Sequence, residues 1–224
     1  MPDRNHSSPR RTIAVGDIHG CSKALEAIIK AIKPTDRDLL VPLGDYIDRG
    51  PDSRGVIDLL IALTDRCRVV PLLGNHELML LRALDDPVEK QFWLECGGAA
   101  TLSSYGDLKQ IPDSHLAFLH RCRRSYQTAE HIFVHANYDP RLSLDEQPDY
   151  LLLWEHLSMP VPGRHESGKT VVVGHTPQPT GEIWDLEHVI CIDTFCVGSG
   201  WLTALDVETA TVWQADKFGK LRGD

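Results

Sequence analysis

Three short apolar runs, each closed by a glycine and a knot of polar residues, constrain this 224-residue chain more than any other feature. Thr12–Val15 runs into Gly16-Asp17-Ile18-His19-Gly20. Asp38–Leu43 runs into Gly44-Asp45-Tyr46-Ile47-Asp48-Arg49-Gly50, and Arg68–Leu73 into Gly74-Asn75-His76-Glu77. Apolar runs of this length that stop at a glycine read as buried strands. Between the first two, Leu25, Ile28, Ile29 and Ile32 recur at helical spacing behind Ser22 as N-cap, and Pro34 ends the helix. Between the second and third, Asp52–Leu63 reads as an amphipathic helix opened by Pro51. A β-α-β-α-β order predicts parallel neighbours with right-handed crossovers. Parallel strands deliver their carboxyl ends to one edge of the sheet, where open α/β folds place ligands. The three polar knots should therefore converge.

Beyond them, the pattern from Glu77 to about Arg121 is helical, broken at Pro87, Gly97–Gly98 and Pro112. Later strands are expected at His131–Val134, Thr170–Val173, His188–Ile192, Trp201–Asp206 and Thr211–Gln214. Their close spacing in the final third suggests antiparallel pairing. Two further histidines close such strands, His135 after HIFV and His175 in TVVVGHTP. Ser158–Gly168, with two prolines and two glycines, reads as a surface loop. Residues 1–11 are expected to be a disordered tail, 12–217 a single α/β catalytic domain, and 218–224 a C-terminal tail.

Charge and cysteine usage narrow the function. With 23 Lys+Arg against 32 Asp+Glu the net charge is −9, which disfavours a general phosphate-backbone binder. No apolar run approaches the ~18 residues of a membrane span, and the MPDRNHSSPRR start lacks the apolar stretch of a signal peptide. Six scattered cysteines, at 21, 67, 96, 122, 191 and 196, form no Cys-x-x-Cys pair and fit reduced cytosolic thiols. The expectation is a cytoplasmic protein with no nucleic-acid, membrane or obligate protein partner.

Asp17, His19, Asp45, Asn75, His135 and His175 are oxygen and imidazole donors, all at strand ends. Two divalent ions with one shared carboxylate need about this many ligands. With no thiolate among them, manganese, iron or zinc is favoured over magnesium, manganese first. GDIHG, GDYIDRG, GNHE, the VHA histidine and GHTP, in that order, resemble the phosphoprotein phosphatase family of metallophosphoesterases, whose bacterial branch holds small Ser/Thr phosphatases and symmetrical diadenosine tetraphosphate hydrolases. The motifs span residues 13 to about 206. The resemblance implies a metallophosphoesterase-type β-sandwich flanked by helices, an αββα arrangement with mixed sheets. It also implies two metal ions, one held by Asp17, His19 and His175, the other by Asn75 and His135, with Asp45 bridging. His76 would protonate the leaving oxygen and contact the phosphate, Asp48 would pair with His76, and Arg49 would grip phosphate oxygens. The chemistry agrees: a metal-activated water can attack phosphorus, an alkoxide leaving group needs a proton, and arginine offers two parallel donors to the phosphoryl oxygens.

Three positions depart from the family pattern. Asn137 stands where glycine usually follows the VHA histidine, and asparagine tolerates left-handed backbone. Trp154-Glu155-His156 lacks the second phosphate-binding arginine of a Trp-x-Arg, leaving Arg141, Arg164 or a protonated His156 as substitutes. Phe195-Cys196 follows Ile-Asp-Thr where glycine is usual, and core packing is the expected role of that ring. Gly163–Thr170 matches the phosphate-binding loop pattern literally, yet it opens a strand rather than a helix and is set aside. His131 and His188 are expected to face solvent, and Phe92, Trp93 and Leu94 to pack a helix. The leading expectation is a protein Ser/Thr phosphatase acting in one step on a phosphoprotein. The runner-up is a symmetrical dinucleoside tetraphosphatase acting on a small phosphoester, and a distant third is an inactive binding module.

Overall fold

The computed structural model describes residues 11–223. The tail expected over residues 1–11 lies outside these, except for Arg11, which opens the first strand and donates two hydrogen bonds to the Asp38 carboxylate. β1 (Arg11–Val15), β2 (Asp38–Pro42) and β3 (Arg68–Val69) are parallel neighbours, as the β-α-β-α-β pattern requires. They are joined by α1 (Ser22–Ile32) and α2 (Ser53–Leu63). Ser22 is the first residue of α1 rather than its cap, and Cys21 precedes it without a side-chain cap bond. Asp52 caps α2 by accepting from the Gly55 N–H at 2.9 Å. β3 is shorter than the Arg68–Leu73 expected. Beyond it Val70 and Leu72 still donate to the Leu40 and Pro42 carbonyls of β2, while Pro71, which has no N–H, and Leu73 face Arg123 on the other side.

The helical middle comprises α3 (Asn75–Ala83), α4 (Pro87–Trp93), α5 (Ala99–Tyr105) and α6 (Asp113–His120). A wide helical turn, Leu94–Gly98, joins α4 to α5, with Gly97 at φ 114°. After β4 (Ser125–Gln127), β5 (His131–Val134) and α7 (Asp149–Leu153) come β6 (Thr170–Val173), β7 (Trp184–Asp185), β8 (Val189–Cys191), β9 (Leu202–Asp206) and β10 (Thr211–Ala215). One sheet runs β10-β9-β1-β2-β3 and the other β4-β5-β6-β8-β7.

The antiparallel expectation for the final third holds for β9 with β10 and with β1, but not for the heart of the second sheet. There β5, β6 and β8 lie parallel. Their apolar runs fit that pairing, because parallel strands are buried on both faces and lose alternation. Ala14, Leu39, Val41 and Leu43 meet Phe133, Val172 and Ile192 between the two sheets. Ile13, Val15 and Leu40 point the other way, onto α1 and α2. Ile132, Val134, Val171 and Val173 pack outward on Tyr138, Leu152 and Leu153. Two mixed sheets are thus face to face with helices outside, the αββα sandwich. Past β10 the chain folds back on itself: Leu221 pairs with Ala215, and the Arg222 N–H donates to the Gln214 carbonyl. Among the described residues no helix is long and apolar enough to cross a membrane.

Candidate metal centre and active site

The turns after β1, β2 and β3 meet at one edge, joined there by His135 after β5 and His175 after β6. Five of these residues, His19, Asp45, Asp48, Arg49 and His175, hold positive φ between 45° and 70°. L-residues adopt that backbone at a cost, and such positions cluster where side chains must be aimed. Gly44 (φ 108°) lets β2 turn, because a Cβ there would sit 2.7 Å from Gly74 N and Cα and 2.9 Å from His135 Nδ1.

The hydrogen bonds fix how the imidazoles point. His19 Nδ1–H donates to the Ile47 carbonyl and His135 Nδ1–H to the Leu43 carbonyl, each at 2.9 Å. His175 donates from Nε2 to the Trp154 carbonyl at 3.1 Å. A carbonyl can only accept, so the other nitrogen of each ring faces inward with its lone pair. His19 Nε2 lies 3.5 Å and His135 Nε2 3.4 Å from opposite oxygens of the buried Asp45 carboxylate. His175 Nδ1 lies 3.2 Å from His135 Nε2, and Asn75 Oδ1 approaches the same nitrogen at 3.2 Å. Acceptors thus point at acceptors around Asp45. Reversing the Asn75 amide would let its nitrogen donate to Asp45 and His135. With the oxygen inward, converging lone pairs make the surroundings of a cation. His76 Nε2, buried without a partner 4.0 Å from Asp45 Oδ2, adds a further polar atom aimed into this space. Nitrogen and carboxylate donors without sulfur fit divalent ions.

The geometry sorts the donors differently from the grouping implied by the family resemblance. His175 joins Asp45 and His135, whereas the other close group is His19, Asp45 and His76. Asp17 reaches the centre through its carboxylate, which accepts the His175 backbone N–H at 3.1 Å. Burial holds His19 and His175 down to about 3, so both imidazoles stay neutral and free to ligate at physiological pH. Burial, with Asp193 and Asp45 nearby, pushes Asp17 well above the usual carboxylate range. A cation among these donors would reverse that.

His76 Nδ1–H donates to Asp48 at 2.7 Å. Burial pulls His76 down, but the Asp45 and Asp48 carboxylates outweigh it and leave it raised, as a proton donor near neutral pH requires. Asp48 is itself fully engaged: Trp93 Nε1–H donates to it at 2.8 Å and the Thr101 hydroxyl at 2.6 Å. Trp93 therefore does more than pack a helix, as the sequence reading had it. Exposed Arg49 donates to His19 Nε2 at 3.0 Å, and its backbone N–H bonds the Gly97 carbonyl.

Of the three substitutes for the second phosphate arginine, only His156 touches the site, stacked on His175 with ring centroids 4.5 Å apart. Arg164 donates to the Gly168 carbonyl within its own loop, and Arg141 pairs with Asp139. Asn137 does not take up left-handed backbone. Its side chain donates to the His156 carbonyl at 3.3 Å, fastening that segment. Phe195 is the left-handed residue instead, at φ 62°, with its half-buried ring against Gly198. His188 is tied through both nitrogens to the Leu186 and Pro162 carbonyls, and His131 is half-buried against Phe133, so neither is simply solvent-facing.

Two residues escaped the sequence reading. Glu77 is fully buried and accepts backbone N–H bonds from Asp45, Tyr46 and Gly74, locking the second knot to the third. Burial and Asp45 push it up to about 8. Its place three residues after Gly74, at the start of α3, is the half of a capping box that could have revealed it. Buried Asp193, pushed up to about 7 mainly by burial, sits beside Asp17 and accepts the Phe195 N–H. No local pattern marks it.

Residues 10–204 match the family described as calcineurin-like phosphoesterase. The chain belongs to this family. A symmetrical bis(5'-nucleosyl)-tetraphosphatase of Acidovorax sp. strain JS42 is 50% identical over 70 residues, 31% of this chain and only 24% of that relative. A serine/threonine-protein phosphatase 1 of Salmonella typhimurium LT2 is 30% identical over 210 residues, 89% of this chain and 93% of the relative. A crystal structure provisionally assigned as a diadenosine tetraphosphatase superposes with a TM-score of 0.67 at 25% identity, covering 92% of this chain and 95% of its own. The phosphoesterase reading of the motifs stands at the level of the family, while the chain spans about a quarter of the length of the Acidovorax relative it matches.

Proposed function

We propose that this phosphoesterase cleaves a dinucleoside tetraphosphate symmetrically, the runner-up of the sequence reading. The carrying observation is the resemblance, at up to 50% identity through the matched stretch, to symmetrical tetraphosphatases. In this reading His175, His135 and Asn75 would hold one ion and His19 and Asp17 the other, with Asp45 between them. Manganese is the first candidate, with iron and zinc next. The ions would supply an activated water and neutralise phosphoryl charge. Arg49 orients the reacting phosphoryl group with its planar fork. The water oxygen bonds to one of the two central phosphorus atoms and the central P–O bond breaks. The departing nucleoside diphosphate keeps the bridging oxygen, which His76, oriented by Asp48, protonates. Two nucleoside diphosphates result.

A specific observation favours the sequence reading's first choice, protein Ser/Thr phosphatase, as the second reading. The Salmonella phosphatase is matched over nearly its whole length. Parallel rates in Mn²⁺ with diadenosine tetraphosphate and a phosphoserine peptide, using Asp45→Asn as blank, separate the two. A clear excess of ADP formation supports the tetraphosphatase. Release of phosphate from the peptide at a higher kcat/KM than dinucleotide cleavage overturns it.

A further inference from the structure

A cavity of about 500 Å³ lies beside the phosphate-gripping arginine, between the start of α1 and the turn after β10. Small-molecule sites occupy about this volume. Arg49 is common to both places: its guanidinium meets His19 Nε2 at 3.0 Å, and the residue also lines the cavity. Lys23 and Lys217 bring two more cations, and Pro51, Val197 and Phe218 supply apolar walls. The one carboxylate of the lining, Asp52, is engaged in capping α2. In a chain of net charge −9, three cations around one apolar cleft are a local reversal of sign suited to an anion with an aromatic end.

Phe218 is the odd member. The residue is 74% exposed and so contributes little to the core, yet its backbone is fixed. The Asp216 carboxylate accepts the Phe218 and Lys220 N–H groups, each at 2.9 Å, and the Asp216 carbonyl accepts that of Gly219 at 2.9 Å. Lys217 is equally constrained, donating to the Gly198 carbonyl at 2.9 Å with its ammonium 5.8 Å from the Phe218 ring centre. A rigid turn thus presents an exposed aromatic ring with the Lys217 ammonium over one face and the other face available. That combination suits a nucleobase followed by phosphates.

We propose that this cavity receives one nucleoside-diphosphate arm of the substrate, its base on Phe218 and its phosphates between Lys217, Lys23 and Arg49. The inference rests on the tetraphosphatase reading and adds where the non-reacting arm binds. It also gives the residues beyond 217, expected from sequence to be a tail, a part in substrate binding.

The test compares kcat/KM for diadenosine tetraphosphate with that for p-nitrophenyl phosphate, which has no second arm. Phe218→Ala should lower the dinucleotide value about tenfold more than the aryl phosphate value, in line with the loss of one base–aromatic stack. Phe218→Trp should restore the ratio, and Lys23→Gln should lower it several-fold. The inhibition constant of ADP against the aryl phosphate should rise in step. A general folding defect would lower both substrates in proportion and leave the ratio unmoved. If the unaltered protein cleaves the dinucleotide but neither Phe218→Ala nor Lys23→Gln moves the ratio, the cavity assignment is wrong and the function stands. If the unaltered protein cleaves the phosphoserine peptide and not the dinucleotide, the function and the cavity assignment fall together.

Discussion

The two sheets contribute unequally to the site. The first delivers Asp17, His19, Asp45, Asp48, Arg49, Asn75 and His76 from three tight strand-to-helix turns, cross-linked by Glu77. The second delivers only His135 and His175, at the ends of β5 and β6. The candidate proton donor His76 and the candidate phosphate ligand Arg49 sit on the first, and His156, stacked on His175, on the second. All three departures from the family pattern, Asn137, His156 and Phe195, follow elements of the second. The bond-breaking groups must hold their geometry to a fraction of an ångström, whereas the rim that meets the rest of the substrate can change with it. A division of labour between the sheets follows: the first carries the candidate bond-breaking groups and the cavity proposed for the substrate's second arm, and the second carries the positions that depart from the family pattern.

The largest effect should come where the halves join. Asp45→Asn removes the carboxylate that faces imidazoles from both sheets, and activity should fall about a thousandfold, the several kcal/mol that metal ions contribute. Metal analysis should find fewer than two equivalents of Mn²⁺ per chain; two retained ions would break the shared-centre picture. Next is the proton donor of the first sheet. His76→Asn should keep the metal content but lose about 10²–10⁴ in kcat on alkyl phosphates, and less on activated aryl esters. Equal losses on both would remove the general-acid role.

The pH profile sharpens this. His76 is raised by Asp45 and Asp48 against the pull of burial, so its contribution as a proton donor is lost as pH rises through that raised value. Asp48→Asn removes one of the raising charges and should move the alkaline limb of kcat to lower pH; a limb that stays put counts against the pairing. The smallest effect belongs to the second sheet. His156→Ala, which leaves His175 unstacked, should raise KM a few-fold with kcat nearly held. A kcat loss as large as that of His76→Asn would erase the distinction between the sheets.

The same asymmetry governs what could be read in advance. The first three strands announced themselves because glycine punctuates them and the intervening helices carry a clean period. The single histidines after HIFV and TVVV were legible for the same reason. Pairing sense in the second sheet was not, since uniformly apolar runs carry no alternation to distinguish parallel from antiparallel neighbours. The edge strands Ser125–Gln127 and Trp184–Asp185 are too short and polar to signal at all. Trp93 and Thr101 reach Asp48 across 45 and 53 residues of chain, and only tertiary packing could reveal those bonds. The pairing of His175 with His135 was hidden likewise, because ring orientation depends on which carbonyl each imidazole finds.

The left-handed backbone at His19, Asp45, Asp48, Arg49 and His175 also bears on engineering. Each such residue costs on the order of 1 kcal/mol or more, and the five together rival a sizeable part of a domain's net stability. A thermostability screen that ignored turnover would find relief here, with glycine or asparagine spreading through the first two knots and the turn after β6. The resulting protein would survive heating better and do nothing. Selection for robustness in this scaffold has to be run with activity as a second filter, and its safe gains lie on the outer helices.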